Sequence, residues 1–260
     1  MPARPSVLVT RDRLSARALI AQLHTRGFEP LAVPCLEIEP LPALKDAAQE
    51  LISLTHACWL VVTSATAVRL LAAEFVHRGH TPETVFGKLK LAAVGEKTAR
   101  ALRGYLSPEH TIVTPTVSNS GALAELLVPA LLPLPTTAVV CRGIDADEQL
   151  PRRLLDAGAT VLCFSIYRTD TPVLTATEIA ALRGGVSDPS HPPTILVSSA
   201  ITGRNLLEQT KQHAPEAVGV LLASRVIAIG PGTATALVGL GFRWVETAAA
   251  QSTEAMLELL

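Results

Sequence analysis

Short apolar runs alternate with amphipathic stretches along the chain, and most runs stop at a hydroxyl residue or a glycine. The first run, Val7–Thr10, precedes a helical pattern from Ser15 to Thr25, with Ser15 as the expected N-cap and Gly27 as the stop. A strand is expected near Leu31–Val33, then an extended, proline-punctuated segment, CLEIEPLP (35–42). The spacing next predicts a helix over Leu44–Leu54, a strand over Trp59–Val62 and a helix over Ala65–Arg78. A strand over Lys90–Val94, a helix over Thr98–Gly104, a short strand over Thr111–Val113 and a helix over Ser120–Leu127 follow, the last capped by Ser118 or Asn119. PALLPLPTT (129–137) reads as a join. Beyond it the pattern gives strand Ala138–Cys141, helix Asp147–Ala157, strand Thr160–Ser165, extended YRTDTP (167–172) and helix Ala176–Arg183. A loop over 184–193 leads to strand Thr194–Val197, helix Thr202–Gln212, strand Val226–Ile229, helix Thr233–Gly239, strand Trp244–Glu246 and helix Thr253–Leu259. Strands alternating with helices imply βαβ units and parallel sheets.

The pattern also repeats. GEKTARAL at 95–102 returns as GPGTATAL at 230–237, 135 positions later (95 to 230). VVTSATAVRLL from Val61 returns as LVSSAITGRNLL from Leu196, again 135 positions on (61 to 196). VLVTR from Val7 returns as AVVCR from Ala138, and Gly27 as Gly158, both 131 positions on (7 to 138, 27 to 158). Paired signatures in one order argue for an internal duplication into two similar domains, since solenoid repeats are far shorter.

Composition narrows the class. Apolar residues make up 48%, charged ones 17% and aromatics 3%, so a sizeable aliphatic core forms and disorder is excluded. So few aromatics argue against stacking on single-stranded nucleic acid. A net charge of −1 without charge runs leaves no polyanion-binding field. Cys35, Cys58, Cys141 and Cys163 form no CxxC pair and read as small buried hydrophobes in a reducing compartment. The opening MPARPS carries no signal-peptide core and no run is long enough to span a membrane, so the chain is expected in the cytoplasm. Nothing marks an oligomer interface, and a monomer is expected.

Four turns carry candidate chemistry: Thr63–Ser64, Gly95–Thr98, Ser198–Ser199 and Gly230–Thr233, the last including Pro231. Each sits at a strand end and a helix start, where free N–H groups and the helix dipole favour anions. The same hydroxyls are equally good helix caps. Arg11 and Arg142, with Gly143 beside it, end the first strand of each copy; they suit carboxylates or structural ion pairs. Tyr167 ends a strand and offers a weak acid, or is simply packed. Arg225 precedes its strand and so falls at the end away from the turns. No Walker loop, dinucleotide fingerprint, HExxH, GxSxG or His/Asp/Glu cluster occurs, so neither metal nor organic cofactor is expected. The scattered histidines, among them His77 and His80, read as solvated surface.

Taken in order, VLVTR, TSATAV, AAVGEKTARAL, CRGIDADEQLPRRLLDAGATV, SIYRTDTP, LVSSA, AIGPGTATALVGLGF and STEAMLELL resemble the uroporphyrinogen-III synthases over nearly the whole chain. No single motif is specific; the ordered set is. The resemblance implies two flavodoxin-like α/β domains joined by a two-stranded connector, with a cleft between them. One would hold about 1–36 plus 173–260 and the other about 39–168, with crossovers near 35–42 and 167–172. It implies cyclisation of hydroxymethylbilane, a linear tetrapyrrole with eight carboxylates, with inversion of ring D and loss of water, without metal or cofactor. Tyr167 would match the tyrosine that assists departure of the hydroxyl. Thr63, Ser64, Thr98, Ser199 and Thr233 would line the cleft, and Arg225 falls at an often basic position. Thr66 departs from the pattern, where a larger polar residue is common. The competing reading is a non-catalytic two-lobed sensor of a small anionic ligand.

Overall fold

A computed structural model describes residues 4–56, 58–131 and 135–260. The first residues of the MPARPS opening and the centre of the expected 129–137 join lie outside the described residues. In chain order the elements are β1 (Ser6–Val9), α1 (Arg13–Thr25), β2 (Glu29–Ala32), β3 (Glu37–Pro40), α2 (Ala43–Ser53), β4 (Cys58–Val62), α3 (Ala65–His77), α4 (Pro82–Gly87), β5 (Lys90–Ala93), α5 (Glu96–Arg103), β6 (Ile112–Val113) and α6 (Ser120–Ala130). Next come β7 (Thr137–Gly143), α7 (Gln149–Asp156), β8 (Thr160–Asp170), α8 (Ala176–Gly185), β9 (Thr194–Val197), α9 (Ala200–His213), a 3-10 turn (Pro215–Ala217), α10 (Val218–Ala223), β10 (Arg225–Ala228), α11 (Pro231–Gly239), β11 (Trp244–Thr247) and α12 (Thr253–Leu257).

These form two compact units, residues 1–38 with 170–260, and residues 39–169. The first unit carries a sheet of order β2-β1-β9-β10-β11, with every pair parallel. That is the flavodoxin-like order, in which the second strand lies outside the first. Its strands are apolar on both faces because both are covered. Val7, Val9, Leu196 and Ile227 pack with α1 and α12, while Leu8, Ile195, Val197 and Val226 pack with α8, α9, α10 and α11.

The second sheet runs β3-β8-β7-β4-β5-β6. Leu60, Val62, Leu91 and Val139 face α2, α3, α4 and α5; Trp59, Val61, Ala92 and Val140 face α6 and α7. Each sequence-repeat pair takes matching places: β7 corresponds to β1, β4 to β9 and β5 to β10, so β8-β7-β4-β5-β6 has the order of the first sheet. Burying one Leu or Val in such a layer contributes about 1.5–3 kcal/mol. Gly27 and Gly158 follow α1 and α7 at φ 85 and 90, in the left-handed region that ends a helix cheaply only for glycine.

Several expectations are corrected. Asp12, not Ser15, caps α1, accepting the Ser15 N–H at 2.9 Å. Of the two caps expected for α6, Asn119 is the one used, accepting the Ala122 N–H at 2.8 Å. The strand expected to stop at Ser165 continues through Tyr167 to Asp170 as β8. The short helices α4 and α10 lack a readable period. Cys35, Cys58 and Cys141 are buried free thiols, but Cys163 is exposed. Burial pushes Cys58 up to about 11 and raises Cys35 and Cys141 further.

Candidate active site

In a flavodoxin-like sheet the helices that follow two neighbouring central strands go to opposite faces, and a crevice opens beyond the strand ends between them. In the second unit those strands are β4 and β7: α3, after β4, packs on one face and α7, after β7, on the other. A cavity of about 380 Å³ lies there, lined by residues that include Thr63, Ser64, Ser118, Gly143, Asp145 and Tyr167.

Its chemistry is built from three strand ends. Ser64 caps α3, accepting the Ala67 N–H at 3.0 Å. Tyr167, on the adjoining strand of β7, donates its phenol to Ser64 Oγ at 2.8 Å. Gly143 faces that ring across a bulge in the β7–β8 ladder, where Gly143 registers with Tyr167. A Cβ at Gly143 would stand 3.0 Å from Tyr167 Cζ and 3.2 Å from Oη, so the absence of a side chain makes room for the phenol. Gly95 opens α5 beside the cavity; a Cβ there would collide with Ser118 Oγ. Asp145 and Asp147 also line the cavity, Asp147 accepting the Gln149 N–H at 2.9 Å.

Arg142 is not available to a ligand. It is 6% exposed, donates to Ala146 O at 2.7 Å and Asp147 O at 2.9 Å, and pairs with Glu148. Of the two roles open to Arg142, carboxylate binding or a structural ion pair, the structure shows the second, and the side chain shapes the 143–148 loop that lines the cavity. Thr98, in the first turn of α5, is only 4% exposed. Ser118 was expected only as a helix cap, yet it lines the cavity. The hydroxyl-rich VSNS stretch before α6 is the signal that could have marked it.

In the first unit, β1, β9 and β10 lie side by side, and Arg11, Ser198, Ser199, Gly230, Pro231 and Thr233 follow their carboxyl ends. Ser199 caps α9 in a capping box with Thr202, and Gly230 opens α11 with Pro231 in its first turn. Thr10, buried beside Arg11, donates to Leu196 O at 2.8 Å and ties β1 to β9. Arg225 sits at the other end of β10. It binds Glu246 through two donors, at 2.8 and 2.9 Å, and donates to Leu259 O at 2.6 Å. Its hydrogen bonds hold the Glu246 carboxyl below the usual range. This is a structural pair at the end of β10 away from the turns, where the sequence places Arg225 although the family resemblance puts it at an often basic position.

Among the described residues no group of three or more His, Cys, Asp or Glu could hold a metal, and no helix is long and apolar enough to cross a membrane. The site therefore offers a phenol, hydroxyls, helix-start N–H groups and small glycine-lined spaces.

A profile of the family described as uroporphyrinogen-III synthase HemD matches residues 17–258. A porphyrin biosynthesis protein HemD of Ruminiclostridium josui is 27% identical over 37% of this chain and 19% of its own length, so this match spans about a fifth of that relative. A putative uroporphyrinogen-III synthase of Methanocaldococcus jannaschii is 23% identical over 91% of this chain and 90% of its own. Among solved structures, uroporphyrinogen-III synthetase of Helicobacter pylori has a TM-score of 0.55 at 19% identity, covering 99% of this chain and 98% of that one. At that identity the structural likeness speaks for the fold.

Proposed function

The chain belongs to the uroporphyrinogen-III synthase family, and from that premise we propose that it cyclises hydroxymethylbilane to uroporphyrinogen III, inverting ring D and releasing water, as a cytoplasmic, monomeric lyase. The observation that carries this reading is the Tyr167 phenol, held at 2.8 Å from Ser64 over the β4–β7 crevice. Loss of the terminal hydroxyl needs a proton donor and leaves an azafulvene. Attack from the substituted carbon of ring D gives a spiro intermediate, which fragments and recloses inverted. Tyr167 supplies the proton for the first step.

The remaining demand is positional. Uncatalysed closure gives the uninverted isomer, so selectivity comes from holding the chain with the substituted carbon of ring D at the reactive end. Arg11, Thr63, Ser198, Ser199 and Thr233, with the backbone at Gly95, Gly143, Gly230 and Pro231, are the proposed carboxylate and backbone contacts. Helix-start N–H groups suit carboxylates because they meet charge without carrying a competing counter-ion. The test is incubation with hydroxymethylbilane and chromatographic separation of the isomers. The inverted product is expected; only uninverted product, at the rate seen without protein, would sink the reading.

A further inference from the structure

Resting on that functional reading, we propose that Ser64 is the group that touches the departing hydroxyl, with Tyr167 acting through it as the second member of a two-proton relay. A serine hydroxyl has one proton and two lone pairs. At Ser64 both lone pairs are engaged, one by the Ala67 N–H at 3.0 Å and one by the Tyr167 phenol at 2.8 Å. With both lone pairs taken, the serine proton is left for a third partner, and Ser64 lines the cavity. Tyr167 has its own proton committed to Ser64. Its ring is packed against Gly143, and its carbonyl accepts the Ile144 N–H at 2.9 Å. Direct donation from the phenol would give up the Ser64 bond; donation through Ser64 keeps it.

The step balances. The carbon–oxygen bond of the hydroxymethyl group breaks as the adjoining pyrrole nitrogen pushes in its electron pair. The leaving oxygen takes the Ser64 proton, and Ser64 Oγ takes the Tyr167 proton. Water departs, leaving an azafulvenium cation on the substrate and a phenolate on Tyr167. The proton that ring D sheds when it regains aromaticity restores the phenol. Ser64 stands at the N-terminus of the 13-residue α3, whose dipole stabilises negative charge on Oγ while the proton passes.

The relay predicts an order of severity that direct donation by Tyr167 reverses. Losing Ser64 disconnects the phenol, whereas losing the phenol leaves the terminal donor in place. The experiment measures kcat and KM for hydroxymethylbilane, with isomer separation, in Ser64→Thr, Ser64→Ala, Ser64→Asn and Tyr167→Phe. Asn keeps the N-cap without a hydroxyl and so guards against a folding failure in Ser64→Ala. We expect kcat down about 100-fold in Ser64→Ala and Ser64→Asn, about tenfold in Tyr167→Phe, and within about threefold of wild type in Ser64→Thr, with KM little changed. The Ser64→Asn/Tyr167→Phe double variant should be no slower than Ser64→Asn. If Tyr167→Phe is as slow as Ser64→Asn or slower, or the two losses multiply, the relay is overturned while the functional reading stands. A wild-type protein that forms no inverted product overturns both.

Discussion

Ser64 and Ser199 occupy matching places in the two sheets, each following the strand beside its sheet's central crevice, yet their second partners differ. Ser199 Oγ accepts the Thr202 N–H at 3.2 Å, and Thr202 Oγ1 accepts the Ser199 N–H at 3.2 Å, so the box closes within one helical turn. Ser64 makes the same cap but bonds to a phenol 103 residues away. A local partner stabilises a helix and leaves the hydroxyl occupied. A distant partner ties the hydroxyl to another strand end and leaves its proton for chemistry. The arginines differ similarly. Arg142 is buried and organises a loop, whereas Arg11 is half-buried and is followed directly by Asp12, the cap of α1.

The largest effect is expected from Arg142→Ala. It strips the partners from Ala146 O and Asp147 O and leaves a void, costing about 3 kcal/mol of unfolding free energy in urea titration. The same change at Arg11 should cost less than about 1 kcal/mol and instead raise KM. Equal stability losses would erase the contrast between the two. Next, Tyr167→Phe should slow turnover about tenfold, near 1.4 kcal/mol, with product affinity almost unchanged, because a donated proton counts mainly in the transition state. An unchanged rate, compared with product titration, would remove the phenol from the reaction.

Ser199→Ala should lower stability by about 1 kcal/mol through loss of the cap and raise KM while sparing kcat. A kcat loss as large as that of the Ser64 variants would mean that both serines serve chemistry. The smallest effect is at Arg225→Gln, less than about 1 kcal/mol. Glu246 is depressed by Arg225, so the pair's contribution is present above the usual carboxylate range and fades as pH falls through the depressed folded value. Urea midpoints at neutral pH should therefore differ between wild type and Arg225→Gln, and converge in acid. Divergence in acid would contradict the sign.

Strands were the most legible part of the chain, because central strands covered on both faces must be apolar throughout. Thr194–Val197 is read from sequence to the residue for this reason. Helices of six residues, α4 and α10, complete too few turns to show a period. Ser15 begins the visible periodicity of α1, so the pattern points to it as the cap, yet Asp12 lies three residues before it, where a cap reaches a free N–H. At the site, residue types were readable but orientation was not. The burial of Thr98 on α5 shows only once the helix is packed, and that of Arg142 depends on carbonyls that reach it only once the 143–148 loop has folded. The link from Tyr167 to Ser64 needs β7 laid between their strands, which no local pattern announces.

The strand order also bears on birth at the ribosome. Unit 39–169 is one unbroken stretch, and its strands from β4 to β8 are all made before β9. In the other unit β1 finds β2 early, but its inner neighbour β9, where Val7 registers with Thr194, is made on the order of ten seconds later at ordinary translation speeds. Until then an apolar strand destined for the centre of a sheet has a bare edge. The nascent chain is thus most exposed to mispairing at β1 while β9 is still unmade, and a chaperone that shields β1–α1–β2 during that interval would help this protein more than one acting after release.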